Sequence, residues 1–495
     1  MAQPGAATAR SSEDWLASAS VRTAGERRRW SLPWTGGHAR TDGSQEDLGD
    51  GDLQALVLDQ TARHGNRIYL GAGRSGWAVA GYQSGVLVLG PPRSGKTTAI
   101  VIPAILAANG AVVSTSTKPD VLAATVGPRR RLGTCWLFDP SGQQAVPPEL
   151  TPLRWSPVAG SSRWEGALVM AHAMLWASRP ATGMLDASHW AERAEALVAP
   201  LLHAAALDRQ GMDFVFRAVH RDEVRGAASI LESNRAEVAL DVLERVVRTD
   251  ERERSSIFST AAGALKAYQF PSALSQAGSA NFDPGLFPTS VDTVYVCAPA
   301  RLQDLLAPIV VGLIEEIRAA TYAQGGGLLT GGQIDPPVFL ALDEVANMAP
   351  LPELGKIVSE GGSQGLLTLA CLQDLSQARV RWGPAAEGFM SLFGTKVVLP
   401  GIADLRTLEV VSALAGEVDA PVRSVSRSPW RPRWRGPRYS VTTSTRRQRR
   451  LPVDSVAHGR KGHALLIDGP APPAWMRLTP WYSGPPFSQI ASIRP

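Results

Sequence analysis

The segment from residue 86 to residue 109 limits the choice of fold more than any other part of the chain. It reads VLVLGPPRSGKTTAIVIPAILAAN, which is an apolar run, a glycine-rich loop and a second apolar run. The loop GPPRSGKT, from Gly90 to Thr97, fits the phosphate-binding pattern G-x-x-x-x-G-K-[ST] in full. We expect a buried strand at 86–90 and a helix from about Thr97 to Asn109, which Gly110 ends. This order predicts the strand–loop–helix unit of an α/β fold.

The residue types of the loop suit a nucleoside triphosphate. Gly90 and Gly95 let the backbone curl so that its N–H groups point at phosphate oxygens, and the positive end of the helix dipole lies at the same place. Lys96 would reach the β- and γ-phosphates, and the Thr97 hydroxyl would ligate Mg²⁺. The motif therefore predicts ATP and Mg²⁺ as ligands. The predicted nucleotide-binding residues are Gly90, Pro91, Pro92, Arg93, Ser94, Gly95, Lys96, Thr97 and Thr98.

An acidic pair follows a second apolar strand. In VFLALDEVANM, five apolar residues precede Asp343 and Glu344. Because ligands of α/β sheets bind at the carboxyl ends of the strands, this pair belongs at the predicted phosphate site. Asp343 would hold Mg²⁺, and Glu344 would act as general base on the attacking water. Asp139 and Asp120 are lower-ranked candidates for the metal-binding acid, since Asp139 precedes a proline and has no acidic neighbour.

A polar amide ends the next apolar strand. Gln373 follows GLLTLACL, and its position suits a sensor of the γ-phosphate. The alternative is that residues 373–376 only begin a helix, with Asp374 or Ser376 as its N-cap. The sequence leaves both interpretations open.

The remaining pattern predicts an α/β protein with a mainly parallel sheet, helices on both faces and an inserted all-helical domain. Strand patterns occur at AVVSTS, TCWLFDP, VDTVYVCAP and TKVVLPG, and IYLGAGRSGWAVAGY suggests a hairpin. Apolar residues recur at three- and four-residue spacing from about 160 to 285. We therefore predict a disordered segment at 1–50, a first part of the core at 51–159, the helical insertion at 160–285 and a second part of the core at 286–495.

Composition and charge indicate the cellular location of the chain and the state of its cysteines. The chain has no apolar run long enough to span a bilayer and no secretory signal at its start, so we expect a cytoplasmic protein. Its three cysteines are far apart beside apolar runs, which is typical of buried free thiols.

Ten Arg residues lie within 423–450, interleaved with Trp430, Trp434 and Tyr439, in a long loop or extended hairpin that could contact nucleic acid or stay solvated. The shorter runs Arg129–Arg131 and Arg27–Arg29 are expected to be solvated surface.

Several blocks resemble the TraG/TraD-type coupling proteins of conjugative DNA transfer and type IV secretion. They are GPPRSGKTTAIVIPAIL, LFDPSG, FDPGLFP, PPAWMRLTPWY and above all LALDEVANMAPLPELGKIVSEGGSQGL. The likeness covers about residues 65–482. It implies a RecA-like P-loop NTPase core interrupted by an all-α domain, with Lys96, Glu344 and Gln373 as catalytic residues and Thr97 and Asp343 as Mg²⁺ ligands.

The resemblance also implies partners. Members typically form hexameric rings, bind single- or double-stranded DNA, and pass a relaxase–DNA complex or a protein substrate to membrane-anchored secretion components. An Arg from one subunit should reach the neighbour's γ-phosphate; Arg379, Arg381 and Arg406 are the candidates. Members usually begin with transmembrane helices, whereas this chain has none, so we expect either a soluble branch or a separate anchor protein. It could lie at the inner face of the plasma membrane.

The same motifs bear on four other functions. A non-enzymatic scaffold with an inactive nucleotide site would need a degenerate Lys or Glu, whereas Lys96 and Glu344 are both intact. A soluble hexameric DNA translocase or helicase-like ATPase unrelated to conjugation would carry the same motifs. A small-molecule P-loop kinase fits less well, because 247 residues and a helical insertion separate Lys96 from Asp343. An ABC-type transporter ATPase is disfavoured because GGSQG follows the acidic strand.

Overall fold

A large sheet forms the centre of the computed structural model, which describes residues 50–73, 76–116, 119–178, 185–325, 334–427 and 439–493. Fourteen strands lie in the described part of the chain. They are β1 (Tyr69–Ala72), β2 (Trp77–Val79), β3 (Val86–Leu89), β4 (Val112–Ser116), β5 (Cys135–Phe138), β6 (Thr151–Pro152), β7 (Thr293–Cys297), β8 (Val338–Leu342), β9 (Leu366–Leu372), β10 (Thr395–Val398), β11 (Glu417–Arg427), β12 (Tyr439–Arg449), β13 (His463–Asp468) and β14 (Ala474–Arg477).

Twelve of these strands form one sheet, in the order β2-β1-β14-β13-β10-β3-β9-β8-β4-β7-β5-β6. The eight from β10 to β6 run parallel, and the four at the other end pair antiparallel, with β1 and β2 forming the expected hairpin. Parallel strands buried on both faces need continuous apolar runs, and β3, β8 and β9 are buried at every position. The prediction of a mainly parallel α/β sheet is confirmed.

Helices cover both faces of the sheet. They are α1 (Asp50–Arg63), α2 (Ile102–Leu106), α3 (Asp120–Arg130), α4 (Trp164–Ser178), α5 (Leu185–Leu207), α6 (Met212–His220), α7 (Arg225–Ser233), α8 (Glu237–Val247), α9 (Glu251–Ala264), α10 (Pro271–Gly278), α11 (Gln303–Gly325), α12 (Leu354–Glu360), α13 (Leu375–Trp382), α14 (Phe389–Leu392), α15 (Leu405–Leu414), α16 (Val453–His458) and α17 (Phe487–Ala491). On one face α1, α2, α3 and α17 pack on alternate residues of β3, β8 and β9, while α11, α12 and α13 contact β9. Helices α4 to α10 follow one another from residue 164 to residue 278.

Two compact units divide the chain. Among the described residues, one unit contains residues 405–458, and the other contains residues up to 404 and from 459 onward. In the first unit, β11 and β12 pair antiparallel over their whole length between α15 and α16. The segment 423–450 therefore contains a hairpin, which was one of the two predicted forms. The predicted disorder of residues 1–50 lies outside the described residues, apart from Asp50. Among the described helices, none is both long enough and apolar enough to cross a bilayer.

The helix after the phosphate loop differs from its prediction. It begins at Thr97 as expected, but Thr97–Val101 form a π-helical turn and the α-helix ends at Leu106, three residues before Asn109. Pro103 explains the wide turn, because a proline has no N–H to donate and its ring collides with the carbonyl four residues before it. Asn109 instead donates from its side chain to the Leu58 carbonyl, which fixes the chain before β4.

The prediction of a solvated surface for Arg129–Arg131 is wrong at Arg129. This side chain is 1 % exposed, whereas Arg130 and Arg131 are exposed. Its guanidinium donates to Thr293 Oγ1 at 2.7 Å and to the carbonyls of Ala108, Gly110 and Val291 at 2.6–2.9 Å. Three successive helical positions span more than half of the helix circumference, so one of them had to face the sheet. Burial lowers the pKa of Arg129 from its usual value.

A carboxyl group in α11 makes stability depend on pH. Burial raises the pKa of Glu316 to about 7, although the hydrogen bond that it accepts from Trp155 Nε1 opposes the rise. The unfolded group titrates near 4.5. Because the folded pKa is the higher one, its stabilising contribution is complete below pH 4.5 and is lost as the pH rises through 7.

We expect Glu316→Gln to raise the free energy of unfolding at pH 8 by roughly 2 kcal/mol relative to its effect at pH 4.5. An amide keeps an oxygen for Trp155 but carries no charge to bury. Urea unfolding of wild type and variant at the two pH values measures the difference, with the exposed Glu232→Gln as control. Equal changes for Glu316→Gln at both pH values would contradict the assignment.

Candidate active site

The phosphate loop joins β3 to the helix at the carboxyl edge of the parallel strands. Gly90 donates its N–H to the Leu372 carbonyl, and a Cβ on Gly90 would lie 2.8 Å from Ser94 Oγ and 2.9 Å from Leu399 Cβ. Gly95 has φ of +99°, a backbone conformation that other residues rarely adopt. The loop is therefore closed tightly at its base, and both glycines are required for its shape.

Two side chains supply polar groups to the loop. Lys96 Nζ donates to the carbonyls of Gly90 at 2.5 Å and Pro91 at 3.0 Å, so its ammonium group lies against the start of the loop. The Ser94 hydroxyl is enclosed and has no hydrogen-bond partner within the described part of the chain. A buried hydroxyl without a partner is costly, and a phosphate oxygen would supply the missing acceptor. The loop residues thus fit a phosphate chain.

The hydroxyl of Thr97 and the carboxylate of Asp343 meet across 246 positions of sequence. Thr97 Oγ1 donates to Asp343 Oδ2 at 2.8 Å, and Asp343 is 8 % exposed at the end of β8. A hydroxyl and a carboxylate oxygen are ligands that Mg²⁺ prefers, beside its own waters. This pair fits a Mg²⁺ ion next to the loop.

Glu344 follows Asp343 at the same edge of the sheet and is half-buried. Its backbone carbonyl accepts the N–H groups of Met348 at 2.9 Å and Asn347 at 3.2 Å. This turn holds the residue immediately beyond the buried strand. The acidic pair therefore lies where β8 ends and a hydrogen-bonded turn begins.

Gln373 lies at the carboxyl end of β9, the strand between β3 and β8. Its amide group is exposed at the edge that also carries the loop and the acidic pair. Asp374 caps α13, because its carboxylate accepts from Ser376 N and Gln377 N. Residues 374–376 therefore begin a helix, as one interpretation of the sequence expected. A role of Gln373 as γ-phosphate sensor stays a prediction.

Two further side chains flank Asp343 that sequence reasoning did not single out. Leu342 pairs with Ala370 on β9 and with Thr115 on β4, which places Cys371 and Ser116 level with Asp343. Burial, and then the Asp343 carboxylate, raise the pKa of Cys371 well above its usual value. Both side chains are buried. Only the strand order, which the sequence does not contain, could have revealed them.

The lower-ranked acids serve other purposes. Asp139 accepts hydrogen bonds from Ser141 N, Ser141 Oγ and Gln144 N, so its carboxylate stabilises the loop after β5. Asp120 is exposed in the first turn of α3. Neither carboxylate has a described contact with the phosphate loop.

The candidate trans-acting arginines lie in different surroundings. Arg379 donates to Asp404 at 3.2 Å, and Arg381 donates to the Ala177 carbonyl at 2.7 Å. Arg406 is exposed on α15. Trp430 and Trp434 of the basic segment lie outside the described residues.

All three cysteines are buried and unlinked, as the sequence predicted. Burial raises the pKa of Cys135 to about 11 and that of Cys297 to about 12. Because only thiolates react, we expect native protein at pH 8 to react with a disulfide reagent at least about 10²-fold more slowly than a free thiol. Absorbance of the released chromophore measures this rate, and unfolding in urea should release three thiols. Rapid modification of any thiol in the native protein would contradict the described burial.

Part of the chain matches a known protein family, and most of it has the fold of a known coupling protein. Residues 337–458 match the family model described as the TraM recognition site of TraD and TraG. The unbound bacterial conjugative coupling protein TrwB has a similar fold, with a TM-score of 0.63 and 16 % identity over 87 % of this chain and 92 % of that chain. The resemblance to the TraG/TraD type is confirmed.

Two further TrwB structures extend the comparison. TrwB with the non-hydrolysable ATP analogue ADPNP gives a TM-score of 0.62 and 16 % identity over 90 % of this chain and 96 % of that chain. TrwB with ADP and Mg²⁺ gives a TM-score of 0.61 and 16 % identity, over 88 % of this chain and 92 % of that chain. At this identity the likeness shows a shared fold. No curated protein matches the sequence significantly.

Proposed function

We propose that this chain is an ATP-hydrolysing coupling protein that drives DNA, or a nucleoprotein or protein substrate, into a conjugative type IV secretion machinery. The hydrogen bond between Thr97 and Asp343 carries the proposal, because it joins the phosphate loop to the acidic strand as an ATP·Mg²⁺ site requires. The TrwB complexes with ADPNP and with ADP and Mg²⁺ support the same ligands.

The proposed chemistry divides among a few side chains. The loop N–H groups and Lys96 would bind and orient the phosphates of ATP, and Thr97 and Asp343 would hold Mg²⁺. The ion would neutralise charge on the β- and γ-phosphate oxygens. Glu344 accepts a proton from the water that attacks the γ-phosphorus, and ADP leaves. Gln373, beside both the loop and the acidic pair, donates to the γ-phosphate and so links hydrolysis to movement of α13.

The assembly that we propose is a homo-hexamer in which an Arg of one subunit reaches the neighbour's γ-phosphate. Arg379, Arg381 and Arg406 are the candidates for this residue, and substituting each in turn would identify the one on which ATP turnover depends. The family description of residues 337–458 favours a partner in conjugative transfer over a translocase unrelated to it. We place the protein at the inner face of the plasma membrane, beside membrane-anchored secretion components.

The effect of DNA on ATP turnover tests this function. We expect single- or double-stranded DNA to stimulate phosphate release by purified protein in the presence of Mg²⁺, and Lys96→Ala to remove both basal and stimulated release. Turnover that DNA does not change would remove DNA as the driven polymer. Formation of ADP without free phosphate, only when a small-molecule acceptor is present, would indicate a kinase instead.

A further inference from the structure

The hairpin of β11 and β12 is a two-stranded ribbon that stands without a third strand. Eleven cross-strand pairs join it, from Glu417–Arg449 to Arg427–Tyr439, and within the described chain neither strand pairs with any other. Residues 421–426 and 441–449 are all exposed. Isolated hairpins are marginally stable in water, and this one is about 35 Å long. A partner that covers such a ribbon would stabilise it, because it would bury surface that the ribbon otherwise exposes to water.

Charge divides the ribbon into two parts. At its base, Glu417 and Asp419 lie on the same face as Arg447 and Arg449, and Arg447 Nε lies 2.6 Å from Glu417 Oε2. Arg449 also donates to Ser412 Oγ at 3.2 Å. The acidic side chains thus offset the arginines of the base.

Beyond Asp419 the acids stop. From residue 420 to residue 453 the sequence contains ten Arg residues and no Asp or Glu. In the described part, Arg423 lies opposite Thr443 and Arg446 lies opposite Ala420, so neither has an acidic cross-strand neighbour. Both are exposed. Because they are on opposite faces, the positive charge surrounds the ribbon.

The other side chains identify the class of polyanion. Hydroxyl residues are the most numerous type at the exposed positions of the ribbon: Ser424, Ser426, Thr442, Thr443, Ser444 and Thr445. Arginine and hydroxyl groups are the common donors to phosphate oxygens. Three exposed valines lie among the described positions: Val425 (62 % exposed) faces Val441 (59 %) across the strands, and Val422 (40 %) faces Ser444. A membrane-inserted hairpin would need a continuous apolar face, whereas this mixture suits phosphates with apolar contact to sugars or base edges.

We propose that the ribbon of β11 and β12 binds the phosphodiester backbone of a nucleic acid, with Arg423 and Arg446 on phosphates. The inference rests on the proposed function in taking DNA as the driven polymer. A two-stranded ribbon fits the major groove of duplex DNA, and its exposed edges also leave room for a single strand.

Fluorescence anisotropy with labelled single- and double-stranded oligonucleotides tests the assignment. We expect the double variant Arg423→Gln/Arg446→Gln to bind about tenfold more weakly than wild type, because two phosphate contacts are lost. The slope of log affinity against log salt should fall by about 1.4 for a single strand, roughly 0.7 per contact, and by about 1.8 for a duplex. The matched control, Arg447→Gln/Glu417→Gln, removes an ion pair from the same ribbon at unchanged net charge and should stay within about twofold of wild type.

The outcomes separate this inference from the proposed function. Equal affinity and equal salt slope for Arg423→Gln/Arg446→Gln and wild type would overturn the ribbon assignment and leave DNA transport standing. An equal loss in the control pair would overturn it also, since uncompensated charge would not be the cause. If wild type binds neither oligonucleotide, the ribbon assignment fails and DNA is removed as the driven polymer, which leaves a protein substrate for the proposed function. If the variant loses binding only to vesicles of anionic lipid, the ribbon is a membrane contact and the proposal is wrong. Unfolding midpoints confirm that each variant is folded.

Discussion

Glu344→Gln is expected to lower phosphate release from ATP by about 10²- to 10⁴-fold, while ATP affinity stays within about threefold of wild type. The amide has the size of the carboxylate but cannot accept the proton of the attacking water. The turn at Met348 and Asn347 holds position 344 in place whichever side chain it carries. The phosphate-binding atoms lie in residues 90–97, so their contacts do not depend on this substitution. Phosphate release and equilibrium binding of a fluorescent ATP analogue measure the two quantities.

A second glutamate supplies the control. Glu360 ends α12 and is exposed, so Glu360→Gln should leave phosphate release within about twofold of wild type. If Glu344→Gln retains wild-type turnover, another group is the general base. If it loses ATP binding as well, the side chain shapes the pocket and its role in proton transfer is unsupported.

Arg129→Met is expected to lower the free energy of unfolding by about 3–5 kcal/mol. Methionine fills part of the same volume but donates no hydrogen bond. The carbonyls of Ala108, Gly110 and Val291 would lose their donor in a buried place, and each such loss costs about 1–3 kcal/mol before relaxation. Because Arg129 links α3 to the chain entering β4 and β7, the damage should spread to the middle of the sheet.

The adjacent residue makes a close control. Arg130 belongs to the same helix but is exposed, so Arg130→Met should change stability by less than about 0.5 kcal/mol. The midpoint of urea unfolding, followed by circular dichroism, compares the variants. Equal midpoints for Arg129→Met and Arg130→Met would show that the four hydrogen bonds of Arg129 contribute no net stability.

The strands and the phosphate loop could be predicted from sequence because each depends on a local pattern. Buried parallel strands read as apolar runs, and GPPRSGKT needs its residue types at fixed spacing. The edge shared by the loop and the acidic pair followed from the rule that ligands bind at the carboxyl ends of strands. The meeting of Thr97 and Asp343 is the outcome expected from those two signals together.

The features that could not be predicted from sequence depend on contacts between distant segments. The placement of β9 between β3 and β8 brings Cys371 level with Asp343, and no local pattern encodes that order. The burial of Arg129 was missed because its partners lie in two other segments, at residues 108–110 and 291–293. The π-helical turn after the loop also escaped prediction, although Pro103 was visible, since a proline can either kink or end a helix. The charge division of the ribbon required the pairing register of β11 and β12.

Basal phosphate release by the purified protein tests the central claim most directly. ATP with and without Mg²⁺ is supplied to wild type, Lys96→Ala and Glu344→Gln, in the absence of nucleic acid. The loop and acidic pair described here predict release that requires Mg²⁺ and is lost in both variants. Mg²⁺-dependent release that persists unchanged in both variants, or no release by wild type under any condition, would contradict the assignment of residues 90–97 with Asp343 and Glu344 as an ATP-hydrolysing site.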